Sequence, residues 1–208
     1  MKKLFLIALI SLAASNINAQ VTWNVKVGGG MSFITGSNDR GEEKGKLVMK
    51  GGFGAEFPLG SNFILMPSVE YAQKGWKWEY TMSNDDKTEV TTTLHYVQVP
   101  VMMAYRVNMA KTNMTLKFGP YVAYCVNGKS KEKNYGTYED TFEYDFFGEN
   151  GDKAKRTDVG IIGGLDFELH RFVIGVEYEK GFRNILRYYN SDKKVTNSSL
   201  YMTLGYKF

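Results

Sequence analysis

The chain closes with Ser199-Leu200-Tyr201-Met202-Thr203-Leu204-Gly205-Tyr206-Lys207-Phe208. Leu200, Met202, Leu204, Tyr206 and Phe208 fall on alternate positions, with Ser199, Thr203, Gly205 and Lys207 opposite. Successive side chains of a strand point to opposite faces, so this period of two marks a strand with one apolar face. The same alternation recurs upstream. Trp23, Val25, Val27, Met31 and Phe33 oppose Asn24, Lys26, Gly28, Gly30 and Ser32, while Leu47, Met49, Phe53, Ala55 and Phe57 oppose Val48, Lys50, Gly52, Gly54 and Glu56. Val97, Val99, Val101, Met103 and Tyr105 oppose Gln98, Pro100, Ala104 and Arg106, and Phe172, Ile174, Val176 and Tyr178 oppose Gly175, Glu177 and Glu179.

With the less regular runs, eight strands are expected, starting near residues 22, 46, 62, 88, 113, 158, 172 and 198. Their connectors alternate in length. Pro58–Ser61, Val107–Thr112 and His170-Arg171 are short, while Thr35–Gly45, Gly128–Thr157, Phe182–Asn197 and a stretch around Ser83–Lys87 are longer. An even strand count with short turns at one end and long loops at the other is the pattern of a transmembrane β-barrel. The polar face is rich in glycine (Gly28, Gly30, Gly52, Gly54, Gly119, Gly164, Gly205), which suits the crowded interior of a narrow barrel. The other face carries bulky aliphatics flanked by Trp23, Phe57, Phe63, Tyr105, Phe118 and Tyr206, as aromatic girdles at two membrane interfaces require. The expected fold is therefore all-β, an eight-stranded antiparallel up-and-down transmembrane β-barrel with extended extracellular hairpins. Pro67, Pro100 and Pro120 sit inside expected strands, where each removes a ladder hydrogen bond and marks a bulge or a local water bridge.

Composition sets bounds on this reading. The 208 residues are 43% hydrophobic and 23% charged, which excludes disorder as the main state, and the length suits a single domain. No run reaches the ~18–20 apolar residues of a membrane-spanning helix, and the mean hydropathy of -0.32 would otherwise suggest a soluble protein. A single Cys, Cys125, excludes an internal disulfide framework and reads as a small core residue. No basic stripe dominates, so no nucleic-acid partner is expected. Lys2 and Lys3 precede an apolar run from Leu4 to Ala14 and then Ser15-Asn16-Ile17-Asn18-Ala19, the layout of a secretory signal peptide. The domain expectation is a signal peptide over 1–19 and a barrel over 20–208.

Several strings resemble a known family. Tyr96-Val97-Gln98-Val99-Pro100, Gly119-Pro120-Tyr121-Val122-Ala123-Tyr124, Asp158-Val159-Gly160 with Gly163-Gly164, and the terminal Gly205-Tyr206-Lys207-Phe208 are similar to strands of the porin-family outer-membrane β-barrel domain, the small eight-stranded group of Gram-negative envelopes. The resemblance implies an outer-membrane location and recognition of the terminal Phe208 by the barrel-insertion machinery. It implies no activity, and none of these strings is a catalytic or substrate motif.

The polar face collects Lys26, Lys50, Arg106, Lys117 and Lys207 with Glu56, Glu70, Asp166, Glu168, Glu177 and Glu179. An unpaired buried charge costs several kcal/mol, so these bases and acids are expected to pair into a network that plugs the lumen. A narrow or gated porin-like channel for small solutes is the alternative. Residues 63–82 and 87–106 are about twice the ~9–11 residues needed to cross, so that hairpin should project, turning at Ser83-Asn84-Asp85-Asp86. In the third loop Phe142, Tyr144 and Phe146 alternate with Thr141, Glu143 and Asp145, and Asn150-Gly151 is a tight-turn dipeptide. Lys129, Lys131 and Lys133 going out, with Lys153, Lys155 and Arg156 coming back, form a basic collar placed to meet lipopolysaccharide phosphates, or else a solvated collar. The acidic and aromatic tip could bind an extracellular protein or glycan, or add a strand to a partner.

Catalysis is not expected, and neither are cofactors. A barrel hydrolase acting on envelope lipid or protein would need a nucleophile and a base at the outer rim. Only His95 and His170 exist, His170 falls at the short-turn end, and His95 with Ser83 or Ser130 forms no recognisable triad. The Asn84-Asp85-Asp86 turn lacks the spaced oxygen ligands of a calcium loop.

Overall fold

In a computed structural model the described residues are 21–36, 42–81, 87–109, 112–135, 140–147, 155–185 and 194–208. The expected signal peptide, Ser83, the Asn84-Asp85-Asp86 turn, Asn150-Gly151 and Lys153 lie outside them. The described residues form ten strands: β1 (Thr22–Thr35), β2 (Glu42–Lys44), β3 (Lys46–Pro58), β4 (Phe63–Thr81), β5 (Lys87–Asn108), β6 (Asn113–Tyr135), β7 (Asp140–Asp145), β8 (Thr157–Leu169), β9 (Phe172–Gly181) and β10 (Thr196–Lys207). Every pairing is antiparallel. Eight strands close a ring in the order β4-β3-β1-β10-β9-β8-β6-β5, with β5 returning to β4. The two additional strands are short. β2 pairs with the end of β4, and β7 pairs with the end of β6, both at the end where the long connections lie. The Gly128–Thr157 stretch, expected as a connector, thus gives its first residues to β6 and six more to β7. Its alternation continues the hairpin above the ring.

The two faces are inverted relative to a soluble barrel. Outward residues are apolar and open, such as Leu47 at 80%, Met202 at 67% and Val27 at 64% exposure, while inward Lys50, Glu70, Lys117, Glu177 and Glu179 are all buried. At the short-turn end the outer wall carries paired rings: Trp23 stacks on Phe53, Phe63 meets Tyr105 edge-on, and Tyr206 touches both Phe172 and Phe208. The first and last strands of the ring meet here, and the Phe208 amide donates to the Trp23 carbonyl. The same end holds the two-residue His170-Arg171 turn, in which His170 takes a φ of 56°.

Small interior residues have a steric reason. A Cβ on Gly119 would collide with the Val101 carbonyl across the ladder, and one on Gly175 would strike the Asp166 carboxylate. The narrow ring leaves space for long charged side chains only where facing positions carry none.

The three strand prolines produce no bulge. Pairing continues in the same register on both sides of each, from Gly54↔Ser68 to Phe57↔Leu65, from Pro67↔Val101 to Glu70↔Gln98, and from Pro100↔Tyr121 to Met103↔Phe118. Pro67 stands opposite the neighbour of Pro100, and Pro100 opposite the neighbour of Pro120, so the missing donors line one diagonal seam over β4, β5 and β6. The bulge that does occur lies elsewhere. Between His95↔Asn127 and Tyr96↔Cys125 the register shifts by one, leaving Val126 as the extra residue on β6.

Candidate functional site

The lumen is filled by side chains in stacked tiers. Nearest the short turns, Lys207 Nζ lies 2.8 Å from Glu56 and also pairs with Glu168, and Arg106 bridges the same two acids. In the next tier Lys117 Nζ lies 2.6 Å from Asp166 and 2.7 Å from Glu177. Lys26 joins Glu177 at 2.8 Å to Glu70 at 2.7 Å. Above it Lys50 sits among Glu70, Glu177 and Glu179, at 3.1 Å from the first and 2.7 Å from the last. All eleven charged residues assigned to the polar face by alternation therefore point inward, and each touches at least one opposite charge among them.

The network also includes residues that the sequence reading left out. Lys74 is fully buried, 3.1 Å from Glu179 and 3.4 Å from Asp158, and its ammonium donates to Tyr121 Oη at 3.0 Å. Gln98 donates to Glu70 at 3.0 Å and Glu179 at 2.9 Å. Tyr121 and Asn197 both donate to Asp158. The signal for Lys74 was available in principle, since it lies four residues beyond Glu70 on one strand and so on the same face. Glu70, Glu177 and Glu179 bring carboxylate oxygens close enough to hold a cation, and Lys50 supplies that charge from the chain itself.

Over these tiers, toward the long loops, the lumen turns apolar. Ile34, Trp76, Leu94, Phe146, Ile185 and Val195 pack into one buried cluster. Trp76 meets Phe146 edge-on at 5.8 Å between ring centroids and Trp78 at 5.9 Å. Phe146 and Phe147 pack edge-on, and Arg156 lies 4.3 Å from the centre of the Phe147 ring. Ile185 and Val195 come from the connection between β9 and β10, joined by an Ile185 N–H to Val195 carbonyl bond. Cys125 is buried on the inner face, as its reading as a small core residue requires. A cavity of about 40 Å3 lies among Lys26, Glu56, Ser68, Lys117, Asp166 and Lys207. At ~10–15 Å3 for one water, that space has room for a few waters.

The basic collar depends on the Val126 bulge. Up to Cys125 the odd-numbered residues of β6 face inward, with Lys117, Tyr121 and Cys125 buried. After the bulge Gly128 and Ser130 face inward, and Lys129 and Lys131 are exposed on the outer wall. Lys129 is opposite Asp145 and pairs with Glu143 at 2.6 Å. Lys133 is half-buried opposite Glu89, Lys155 is half-buried, and the exposed Arg156 also donates to the Cys125 carbonyl at 3.4 Å. His95 and Ser130, considered together as a base and nucleophile, face opposite sides of the wall. His95 shares a hydrogen bond with Tyr71 on the outside, and Ser130 bonds to Thr92 at 2.8 Å on the inside.

The exposed Lys129–Glu143 pair gives a pH prediction. The Lys129 ammonium holds the Glu143 carboxyl below the ordinary carboxylate range. A depressed carboxyl pKa stabilises the paired state above the unfolded pKa, and that contribution is lost as pH falls through the folded value. A carbon-detected NMR titration should show Glu143 titrating below a free glutamate, and Lys129→Ala should return it to the ordinary range. Titration of Glu143 at the same pH in both proteins would exclude the pair in solution.

A closed antiparallel ring with an apolar outer wall and a charged, filled lumen defines a membrane-embedded β-barrel. Residues 15–187 match the family described as outer membrane protein beta-barrel domain, and the chain belongs to that family. It is an outer-membrane protein of the Gram-negative envelope. No curated protein matches the chain. Among solved structures, Neisserial surface protein A shares 11% identity at a TM-score of 0.50, covering 89% of this chain and 97% of its own. Ail of Yersinia pestis, solved with the heparin analogue sucrose octasulfate, shares 14% identity at a TM-score of 0.43, covering 91% and 99%. OprG of Pseudomonas aeruginosa shares 13% at a TM-score of 0.37, covering 89% and 95%.

Proposed function

We propose that this protein is a closed-lumen outer-membrane barrel with a structural or surface-interaction role, and neither a channel nor a hydrolase. The observation that carries the reading is the continuous stack of ion pairs under the Trp76–Phe146 cluster. An ion crossing this lumen would have to break pairs between fully buried charges, each costing several kcal/mol to separate. Full-length protein in a planar bilayer is expected to show no steady conductance. Steady, sizeable conductance would establish the porin-like alternative.

The loop end then faces outward and both termini face the periplasm, with residues 1–19 acting as the export signal and Phe208 as the contact for the insertion machinery. Lys129, Lys131, Lys133, Lys153, Lys155 and Arg156 serve as the collar toward lipopolysaccharide phosphates. The projecting hairpin offers a second contact. All six residues of β7 are exposed, Phe142 and Tyr144 among them, and β6 is the partner of β7 among the described residues. An extended peptide of an extracellular protein would add a strand to this hairpin. No enzyme reading gains support from the opposed placement of His95 and Ser130.

A further inference from the structure

We infer that Pro67 builds a water site into the barrel wall, in which water held in the lumen cavity donates to the Ala55 carbonyl and to Glu56 Oε1. The lumen is thereby wet from the periplasmic end up to the bilayer midplane. The site rests on the reading above that the short-turn end faces the periplasm, and it sets the level at which the closed part of the lumen begins. Of the two outcomes expected of a strand proline, the bulge is absent at all three positions, and the water bridge finds its components at Pro67.

Residues of a hydrogen-bonded antiparallel pair exchange two bonds, and a proline in such a pair leaves the opposite carbonyl without its donor. Pairing lapses where Ala55 and Glu56 face Pro67 and Met66, and it holds on either side at Gly54↔Ser68 and Phe57↔Leu65. The donor missing at Pro67 is therefore the one that the Ala55 carbonyl would accept. This gap lies midway up the lipid-facing wall. Phe63, Tyr105 and Leu116 share a row four residues below Pro67, and Tyr71, Val97 and Tyr124 share a row four residues above it. Hydrocarbon offers no donor at that depth, so a bare carbonyl has to be answered from the lumen side.

The lumen side offers the cavity of about 40 Å3, which Gly54, Ala55, Glu56, Met66, Pro67 and Ser68 all border. Ala55 carries its methyl on the outer face with Phe53 and Phe57, so its main chain is what meets that space. Gly54 faces inward, and a Cβ there would lie 3.0 Å from Ser68 Cβ and 3.1 Å from the Pro67 carbonyl, so any side chain would crowd the space beside the gap. Glu56 supplies a second unanswered acceptor. It is 2% exposed, and its Oε2 accepts from Arg106. Its Oε1 receives no hydrogen bond among the described residues, although the Lys207 ammonium lies 2.8 Å away. Water has two hydrogens for such acceptors and can accept in turn from Lys26 or Lys207, which border the same cavity. That set matches the ~2–4 partners of a buried water, whereas the lysines would repel a metal cation. Entry is from below. The side chains of Lys207, Glu168 and Arg106 are 10%, 14% and 20% exposed, while Glu70, Lys50 and Lys74 above them are at 0%.

The test uses the full-length barrel in phospholipid nanodiscs, with NMR transfer of magnetisation from water to individual amides. Transfer is expected at Ala55 and Glu56, and none at Lys50, Lys74 and Glu179 in the tier above. Gly54→Ala places a methyl in the cavity and should abolish the transfer at Ala55. Pro67→Val supplies the missing N–H from the chain itself and should make that loss harmless. In urea titrations Gly54→Ala is expected to lower the folding equilibrium about tenfold on its own and less than about twofold together with Pro67→Val, the difference being one buried carbonyl left without a donor. Pro120→Val lies at a gap away from the cavity and should leave the tenfold cost in place. Absence of transfer at Ala55 and Glu56 in the unaltered protein would overturn the site, whether or not any variant folds. Transfer that survives Gly54→Ala would overturn it too, since it would then come from exchanging lysine or Ser68 hydrogens. An equal cost of Gly54→Ala with and without Pro67→Val would do the same. Transfer at Ala55 that also continues past Lys50 and Lys74 to Trp76 would uphold the water site and overturn the closed lumen, which conductance checks independently.

Discussion

Glu177→Ala is expected to cost the folded barrel about 3–5 kcal/mol, the range for breaking a buried pair by removing one partner. Glu177 is fully buried and accepts from three lysines, at 2.8 Å from Lys26, 2.7 Å from Lys117, and in contact with Lys50. Its loss leaves Lys117 with Asp166 alone, and leaves Lys26 and Lys50 to share Glu70, with Glu179 assisting Lys50. Three buried ammonium groups thus lose a shared carboxylate at once, and the remaining acids must be divided among them. Glu177→Gln retains an acceptor and the volume, so its cost should be smaller. Urea titration of the folded fraction in lipid vesicles measures both. Val176→Ala supplies the comparison, because it changes the adjacent residue on the lipid-facing wall, where a lost side chain is replaced by lipid. If Glu177→Ala costs no more than Val176→Ala, the ion pairs do not hold the lumen together.

The ring was legible because period two survives any change of environment. Expected starts at 22, 46, 113 and 172 coincide with β1, β3, β6 and β9, and the other four fall within two residues of the observed strands. Alternation also assigns faces, which is why Lys26, Glu70 and Glu177 could be placed together before any distance was known. It loses track where the period is interrupted. The Val126 bulge is one extra residue in an unbroken-looking strand, and carrying the phase of Lys117 past it would have turned Lys129, Lys131 and Lys133 into the lumen. Ile185 and Val195 belong to a connection with no period, so their burial in the apolar cap had no signature. The prolines were visible, but their alignment into one seam depends on register, which a single sequence does not supply.

The charged tiers and the aromatic cap close the lumen independently, and Trp76 separates their contributions. Trp76 is 2% exposed, packs on Phe146 and Trp78, and its indole Nε1 has no acceptor among the described residues. Trp76→Ala removes a large buried ring and is expected to cost about 3–5 kcal/mol, through lost burial and the cavity left behind. Trp76→Phe should cost far less. Phenylalanine keeps most of the edge-on contact and removes a buried N–H whose unsatisfied state costs about 1–3 kcal/mol by itself. The same urea titration ranks the two variants. In a planar bilayer neither should conduct, because Lys74, Asp158 and Glu179 still close the lumen beneath the cap. Conductance in Trp76→Ala would place the seal in the aromatic cluster rather than in the ion pairs. A Trp76→Phe cost equal to that of alanine would show that the indole N–H has an acceptor, and would shift the source of stability at this position from packing to hydrogen bonding.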